Sequence, residues 1–501
     1  MIKKFFDLFK PAPEAPPCYE TEEEMRGKYK YWRLRQLYST FVGYGVFYFV
    51  RKNISIAIPL IESHLGMSKA LIGTIVSVSD VVYGVSKFVN GFLGDRCNAR
   101  YFMAVGLLLS ALANFLFGMN SAFAVLLIAW VLNGWFQGMG SPPCSRVICH
   151  WFSSKERGTY WSIWNTSHQI GLSIVLVMGG YLGEHFGWRW VFCVPAAIAG
   201  LTALFLLERL RDTPQSMGLP DPEYYTGEKA FADINKKAEC AAGLDKTEAK
   251  AGAEREDGQP KVVRRGSQYI EAHSEENKDA KKDKQSFKEF WTFLCRHVFN
   301  NPYIWAVCLA NFFIYILRYG FVNWGPSYLT AKGVPLVNAG FTMAMFEIAG
   351  LIGSLVAGWM TDKIFGGKRA PVCVAYMVAT ILSVYGFWKM PVLDSAWLYT
   401  LVFMVLGFFI YGPQLLVAVM ATDLATKKAA ATAVGMTGLF GYVSSVVSGV
   451  VMGHILDVYG WDTAFMMLVG CAVAATLPFV FAWGAKPQDL EELEEKDAQK
   501  E

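Results

Sequence analysis

The sequence predicts an all-α membrane protein, with twelve transmembrane helices in two pseudo-symmetric six-helix halves. Three observations predict it. First, 53% of the 501 residues are hydrophobic. Second, long apolar runs alternate with short polar breaks, while charge gathers at the two ends and in one central stretch, as in a chain that crosses a bilayer repeatedly. Third, the chain repeats itself. "GFLGDRCNAR" (Gly91 to Arg100) and "GWMTDKIFGGKR" (Gly358 to Arg369) share G-x-x-x-D followed by basic residues, and Asp362 follows Asp95 by 362 − 95 = 267 positions. A Gly-Trp pair recurs at Gly187 and Gly460, offset by 460 − 187 = 273.

The elements follow in order. Residues 1–36 are expected to form a polar cytoplasmic N-terminal segment rather than a cleavable signal, "MIKKFFDLFK" being at most a short amphipathic patch. A span needs about 20 mostly apolar residues. Six such runs, at 37–60, 70–94, 101–119, 121–142, 158–182 and 188–207, make the first half, 37–207. Six more, at 303–328, 336–361, 371–390, 396–421, 430–456 and 463–484, make the second, 303–484. Between them, residues 208–302 are rich in Lys, Glu, Asp and Ala and are expected to be a disordered cytoplasmic linker. Residues 485–501 form a charged cytoplasmic tail.

Orientation comes from the loops. Lys and Arg crowd the N-terminal segment and the loops on its side, whereas the opposite loops carry one cation each or none (Lys69, Arg189, Lys332, Lys389). The positive-inside rule puts both termini in the cytoplasm, and an even number of spans requires the same. The ten cysteines form no C-x-x-C pair, and Cys193, Cys308, Cys373 and Cys471 read as small buried hydrophobes. A net charge of +4 says little about partners. No Walker-type loop is present in the sequence. The expectation is a monomer that is not an enzyme, with no cofactor, no metal and no nucleic-acid partner.

The cations inside the apolar runs carry the functional reading. Arg51 and Lys52 sit side by side in the first span, where a charge at membrane depth costs at least about 2.5–3.5 kcal/mol and turns toward protein or water. At about 100° per residue, Tyr44, Tyr48, Arg51 and Ser55 share one helix face, and Lys52 points elsewhere. Arg318, in "NFFIYILRYGFVNW" of the seventh span, lies 318 − 51 = 267 positions after Arg51, the same offset as the Asp pair. Symmetry therefore places one arginine at equivalent depth in each half. Two guanidiniums across a cavity repel, but a phosphate of about −1.5 to −2 charge between them is chelated by two planar donor forks. Lys87 shares a face of the second span with Asp80, Tyr83 and Gly84 and is placed to line the same cavity.

Several strings then resemble one family. "YFVRKN", "YGVSKFVNG", "GMGSPPC", "WNTSHQIG", "ILRYGFVNWGPSYL" and "YGPQLL…KKAAATAVGMTGLFGY", together with the repeated G-x-x-x-D, are similar to the organophosphate:phosphate antiporters of the major facilitator superfamily, through all twelve spans. The resemblance implies a multi-pass carrier of the bacterial inner (plasma) membrane that exchanges a sugar or glycerol phosphate for inorganic phosphate. It implies phosphate binding by Arg51, Arg318, His168 and Lys87. A cavity lined by Tyr44, Tyr48, Tyr83, Trp164, Asn165, Tyr315, Tyr411 and Tyr442 surrounds them. It implies an inter-helix bridge between Lys52 and Glu347, and gating motifs at Gly91, Asp95 and Arg96 and at Gly358 and Asp362. Three positions depart from the pattern: Asp80 is acidic, Asn323 replaces an acid, and Ser141 stands where many relatives have Trp. An eleventh span free of charge, with Ser444, Ser445 and Ser448, favours glycerol 3-phosphate. Hexose 6-phosphate and phosphoglycerate remain open, as do a transporter-like sugar-phosphate sensor and a proton symporter working through Asp80 or Glu347.

Overall fold

The computed structural model describes residues 9–94, 97–153, 156–231, 295–391 and 395–485. Among them there is no strand. The first half consists of α1 (Glu22–Leu65), α2 (Lys69–Gly94), α3 (Ala99–Gly118), α4 (Phe123–Gln137), α5 (Ser141–Trp151), α6 (Arg157–Phe186) and α7 (Trp190–Arg209), followed by the single turn α8 (Pro222–Tyr225). The second consists of α9 (Pro302–Ala331), α10 (Leu336–Lys363), α11 (Arg369–Lys389), α12 (Ala396–Val446), α13 (Met452–Val458) and α14 (Gly460–Phe481). Ten of the described helical segments are long and apolar enough to cross a membrane. The other two of the twelve expected spans lie in α1 and α6, where Arg51, Lys52, Asn165, His168 and their polar neighbours lower the average hydropathy.

Three boundaries differ from expectation for identifiable reasons. The fourth span runs to Trp151 rather than 142: the helix breaks at Gly138–Gly140 and restarts with Pro142 and Pro143 in its first turn, where a missing N–H costs nothing. The tenth and eleventh spans follow one another in α12 with no break in helical backbone between them. The chain nevertheless doubles back within it. Arg318 of α9 bonds to Tyr411, and Asn311 of α9 to the carbonyl of Thr437. Twenty-six residues of straight helix would span about 39 Å, far more than the roughly 10 Å between positions 311 and 318.

The third difference lies at the membrane boundary. Helix α1 starts at Glu22, capped by the Thr21 hydroxyl, and extends well before the first span. Its extension is covered by the start of the expected linker. Leu210, Leu219, Tyr224 and Phe231 are buried there. The Tyr29 hydroxyl donates to Pro220 O at 2.5 Å, and its ring stacks on Tyr225 at 5.1 Å. Asp212 accepts from Arg146 Nε at 2.9 Å and from the backbone N–H groups of Ala99 and Ala12. Residues 210–231 are thus packed, correcting the expectation of disorder over that part of 208–302. Their apolar side chains bury against the extension of α1, where Tyr29 is itself fully buried. Residues 232–294 and 486–501 lie outside the described residues.

The halves meet through α1 with α9, α6 with α10, and α2 with α12, α13 and the π turn Val447–Val451 between them. On the side away from the termini this contact is tight and two-fold. A Cβ on Gly73 would sit 2.3 Å from Gly449 O, and one on Gly340 would sit 2.4 Å from Leu176 O. These contacts are symmetry mates: 340 − 73 = 267 and 449 − 176 = 273. Nearby, Asp457 accepts from the N–H groups of Lys69 and Ala70 at the start of α2, at 3.0 and 2.8 Å. Glu184 accepts from Val337 N at the start of α10, at 2.8 Å. Again 457 − 184 = 273 and 337 − 70 = 267. Each half therefore caps a helix N-terminus of the other, where exposed N–H groups and the helix dipole favour an anion.

Candidate functional site

The inward faces of α1, α2, α6, α9, α10 and α12 converge on a cluster of buried charges. Arg51, Lys52, Asp80 and Arg318 are each less than a tenth exposed, and Glu347 is fully buried. The Arg51 guanidinium lies 3.6 Å from the centre of the Tyr83 ring and 5.5 Å from that of Tyr48, placing a cation over two aromatic faces. Its Nη2 is 3.8 Å from Asp80 Oδ1. In the other half, Arg318 Nε donates to the Tyr411 hydroxyl at 2.8 Å, and its Nη2 is 3.9 Å from Glu347 Oε2. The same Tyr411 hydroxyl donates to Glu347 Oε1.

The aromatic residues singled out in the sequence come to the same place. Tyr44 stacks on Trp164 at 4.8 Å and meets Tyr48 edge-on at 5.7 Å. The His168 ring lies 5.3 Å from that of Tyr48 and 6.5 Å from that of Tyr44. Tyr83 meets Tyr442 across the two halves at 5.2 Å, and Lys87 Nζ is 3.5 Å from the Tyr442 hydroxyl. Tyr315 accepts a long contact from Gln414 Nε2 at 3.5 Å. Asn165 is exposed, on the part of α6 nearer the termini. Gly91 and Gly358 have open space where a Cβ would stand. Asp95 and Arg96 lie outside the described residues, as does the side chain of Asp362.

One expected contact is replaced by others. Among the described residues there is no Lys52–Glu347 ion pair. Lys52 Nζ is instead 3.6 Å from Asp80 Oδ2 and 4.6 Å from the Tyr319 ring centre, while Glu347 faces Arg318 and Tyr411. The reason is helix placement: α10, which carries Glu347, packs mainly on α12 and α6 rather than on α1, whereas the Asp80 side chain of α2 reaches Lys52 directly. Sequence reasoning missed Tyr319, although 319 − 52 = 267 makes it the symmetry mate of Lys52. The Asn323 position holds a polar contact across the halves, since the Ser55 hydroxyl donates to Asn323 Oδ1 at 3.3 Å. A cavity of about 370 Å³ on the side away from the termini, lined by Glu62, Lys69, Ser327 and Trp461 among others, includes none of these site residues.

A bundle of two symmetric halves with paired cations at its centre defines a class of membrane carrier, and comparison with known proteins agrees. Residues 40–449 match the family model described as the Major Facilitator Superfamily. The chain is 38% identical to a probable hexose phosphate transport protein of Chlamydia pneumoniae, over 96% of this chain and 97% of that one. It is 36% identical to the glycerol-3-phosphate transporter of Bacillus subtilis (strain 168), over 95% and 98%. It is also 33% identical to the membrane sensor protein UhpC of Escherichia coli (strain K12), over 95% and 98%. Among solved structures, a bacterial homolog to the human lysosomal transporter Spinster, inward-facing and occupied, superposes with a TM-score of 0.68 at 14% identity, over 90% of this chain and 97% of that one. The chain belongs to the major facilitator superfamily and, within it, to the organophosphate:phosphate antiporter family.

Proposed function

We propose that this protein is a secondary carrier of the bacterial plasma membrane, with both termini cytoplasmic, that exchanges a phosphate monoester for inorganic phosphate. One observation carries the reading. Arg51 and Arg318 occupy equivalent positions in the two halves, and each is held by its carboxylate only loosely, at 3.8 and 3.9 Å. Neither contact has the roughly 2.7–2.9 Å geometry of a charge-assisted hydrogen bond, so both guanidiniums keep donors for a ligand. A phosphoryl group between them supplies the missing acceptors. The names of the relatives, which speak of hexose phosphate and glycerol-3-phosphate, support that choice.

Exchange follows from the same geometry. Binding draws the two cationic half-sites together, and the loaded carrier moves between states open to either side. Without the dianion the cations repel, and the empty carrier returns slowly. Of the substrates, glycerol 3-phosphate is favoured by the lack of charge in the eleventh span. The serines there are not the reason: Ser444, Ser445 and Ser448 donate to carbonyls of their own helix.

The test is reconstitution. Proteoliposomes loaded with phosphate, or left empty, are offered labelled glycerol 3-phosphate, glucose 6-phosphate and 3-phosphoglycerate. Uptake that needs internal phosphate is expected; uptake indifferent to it refutes exchange. Binding without any flux supports instead a sensor, the role named in the 33%-identical relative.

A further inference from the structure

Asp80 and Glu347 are symmetry mates: 347 − 80 = 267, the offset that also relates Arg51 to Arg318. Each half therefore carries an arginine on its first spanning helix and a carboxylate on its second, at matching register. Asp80 is 5% exposed, Glu347 is fully buried, and each keeps one oxygen without a hydrogen bond, Oδ2 and Oε2. The two half-sites differ in what surrounds the acid. Glu347 takes the Tyr411 hydroxyl, whereas Asp80 stands between two cations, 3.8 Å from Arg51 and 3.6 Å from Lys52.

The charges can be counted. Arg51, Lys52, Lys87 and Arg318 bring +4, and Asp80 and Glu347 bring −2, for a site of +2 with His168 left aside. A phosphate monoester with an uncharged body carries about −1.5 to −2 and balances it. A phosphate ester that also bears a carboxylate exceeds it by about one charge, in a region with little water to screen the excess.

We infer that Asp80 is a specificity-determining residue: as counter-ion to Arg51 and Lys52 it sets the site charge to +2 and selects phosphate esters with neutral bodies over those with carboxylate bodies. This rests on the phosphate-ester reading above. The carboxylate need not touch the substrate; it acts by fixing how much positive charge the ligand finds.

The experiment uses the full chain, purified in detergent and also reconstituted. Two readouts are taken with inorganic phosphate, glycerol 3-phosphate, glucose 6-phosphate and 3-phosphoglycerate. They are exchange against internal labelled phosphate, and ligand-induced thermal stabilisation, which requires no transport. In the wild type, 3-phosphoglycerate is expected to have a KM about tenfold or more above that of the neutral-bodied esters. Asp80→Asn is expected to close that gap by about tenfold, mainly through KM for phosphoglycerate rather than through kcat. Asp80→Glu is expected to restore the wild-type order. An unchanged ligand order in Asp80→Asn, by exchange or by stabilisation, overturns the proposal. If stabilisation follows Asp80 but no variant or wild type exchanges phosphate, the proposal stands and the exchange reading falls. If no phosphate ester stabilises the wild type, both fall.

Discussion

Replacing Arg318 with lysine separates charge from geometry at the centre of the site. The guanidinium does three things at once: Nε donates to Tyr411 at 2.8 Å, Cζ lies 4.6 Å from the Tyr411 ring centre, and Nη2 faces Glu347 at 3.9 Å. Its remaining N–H groups are left for a ligand. A lysine keeps the +1 charge but presents a single ammonium, which cannot hold Tyr411 and also offer a parallel pair of donors to a phosphoryl group. The loss is one hydrogen bond to a charged group, about 1.5–3 kcal/mol. At about 1.4 kcal/mol per tenfold, KM for phosphate should rise by about 10- to 150-fold. The assay is phosphate–phosphate exchange in proteoliposomes, with the thermal midpoint of the purified variant as a control for folding. Arg51→Lys, the symmetric change, should behave alike. If either variant exchanges phosphate with a KM within about threefold of wild type, the two-fork site is wrong.

Further outcomes follow from other contacts. Tyr411→Phe removes a hydroxyl bonded to both Arg318 and the fully buried Glu347; leaving those partners unsatisfied should cost about 1–3 kcal/mol, read as a lower thermal midpoint with a raised KM. Asp457→Asn and Glu184→Gln remove the charge from the caps that each half places on the other. Each should weaken closure on the side away from the termini by about 0.5–2 kcal/mol, measured as faster alkylation from that side of a cysteine introduced at Leu336. Equal labelling in wild type and the double variant would show that the caps do not hold that side shut. Gly340→Val should keep the fold yet stop exchange, because its Cβ would lie 2.4 Å from Leu176 O and prevent the halves from meeting there; full exchange by this variant would count against the described closure.

Much of the fold was legible because its causes are local or periodic. Apolar runs of span length, basic loops on one side, and repeats at 267 and 273 each act along the chain. The helix breaks were less legible. The restart at Pro142 and Pro143 depends on a backbone that bends to approach α1 and α2, where a Cβ on Gly140 would meet the Phe47 ring and one on Gly138 the Ser86 hydroxyl. Packing of residues 210–231 was hidden for a similar reason. Their few apolar side chains are too sparse to signal a core, and they bury only because α1 extends beneath them.

The sequence by itself determined that Arg51 and Arg318 are equivalent, since an internal repeat is a property of spacing alone. The same spacing made Asp80 the mate of Glu347, and Lys52 the mate of Tyr319. Only the tertiary structure decided who pairs with whom. An ion pair between helices depends on how they are rotated and how closely they approach, and neither quantity is written in the order of residues. The Asp80 side chain of α2 reaches Lys52 while α10 packs mainly on α12 and α6, so Lys52 falls to Asp80; residues of α10 and α12 meet Arg318, so Glu347 and Tyr411 fall to it. Register fixed the candidates, and helix packing assigned their partners.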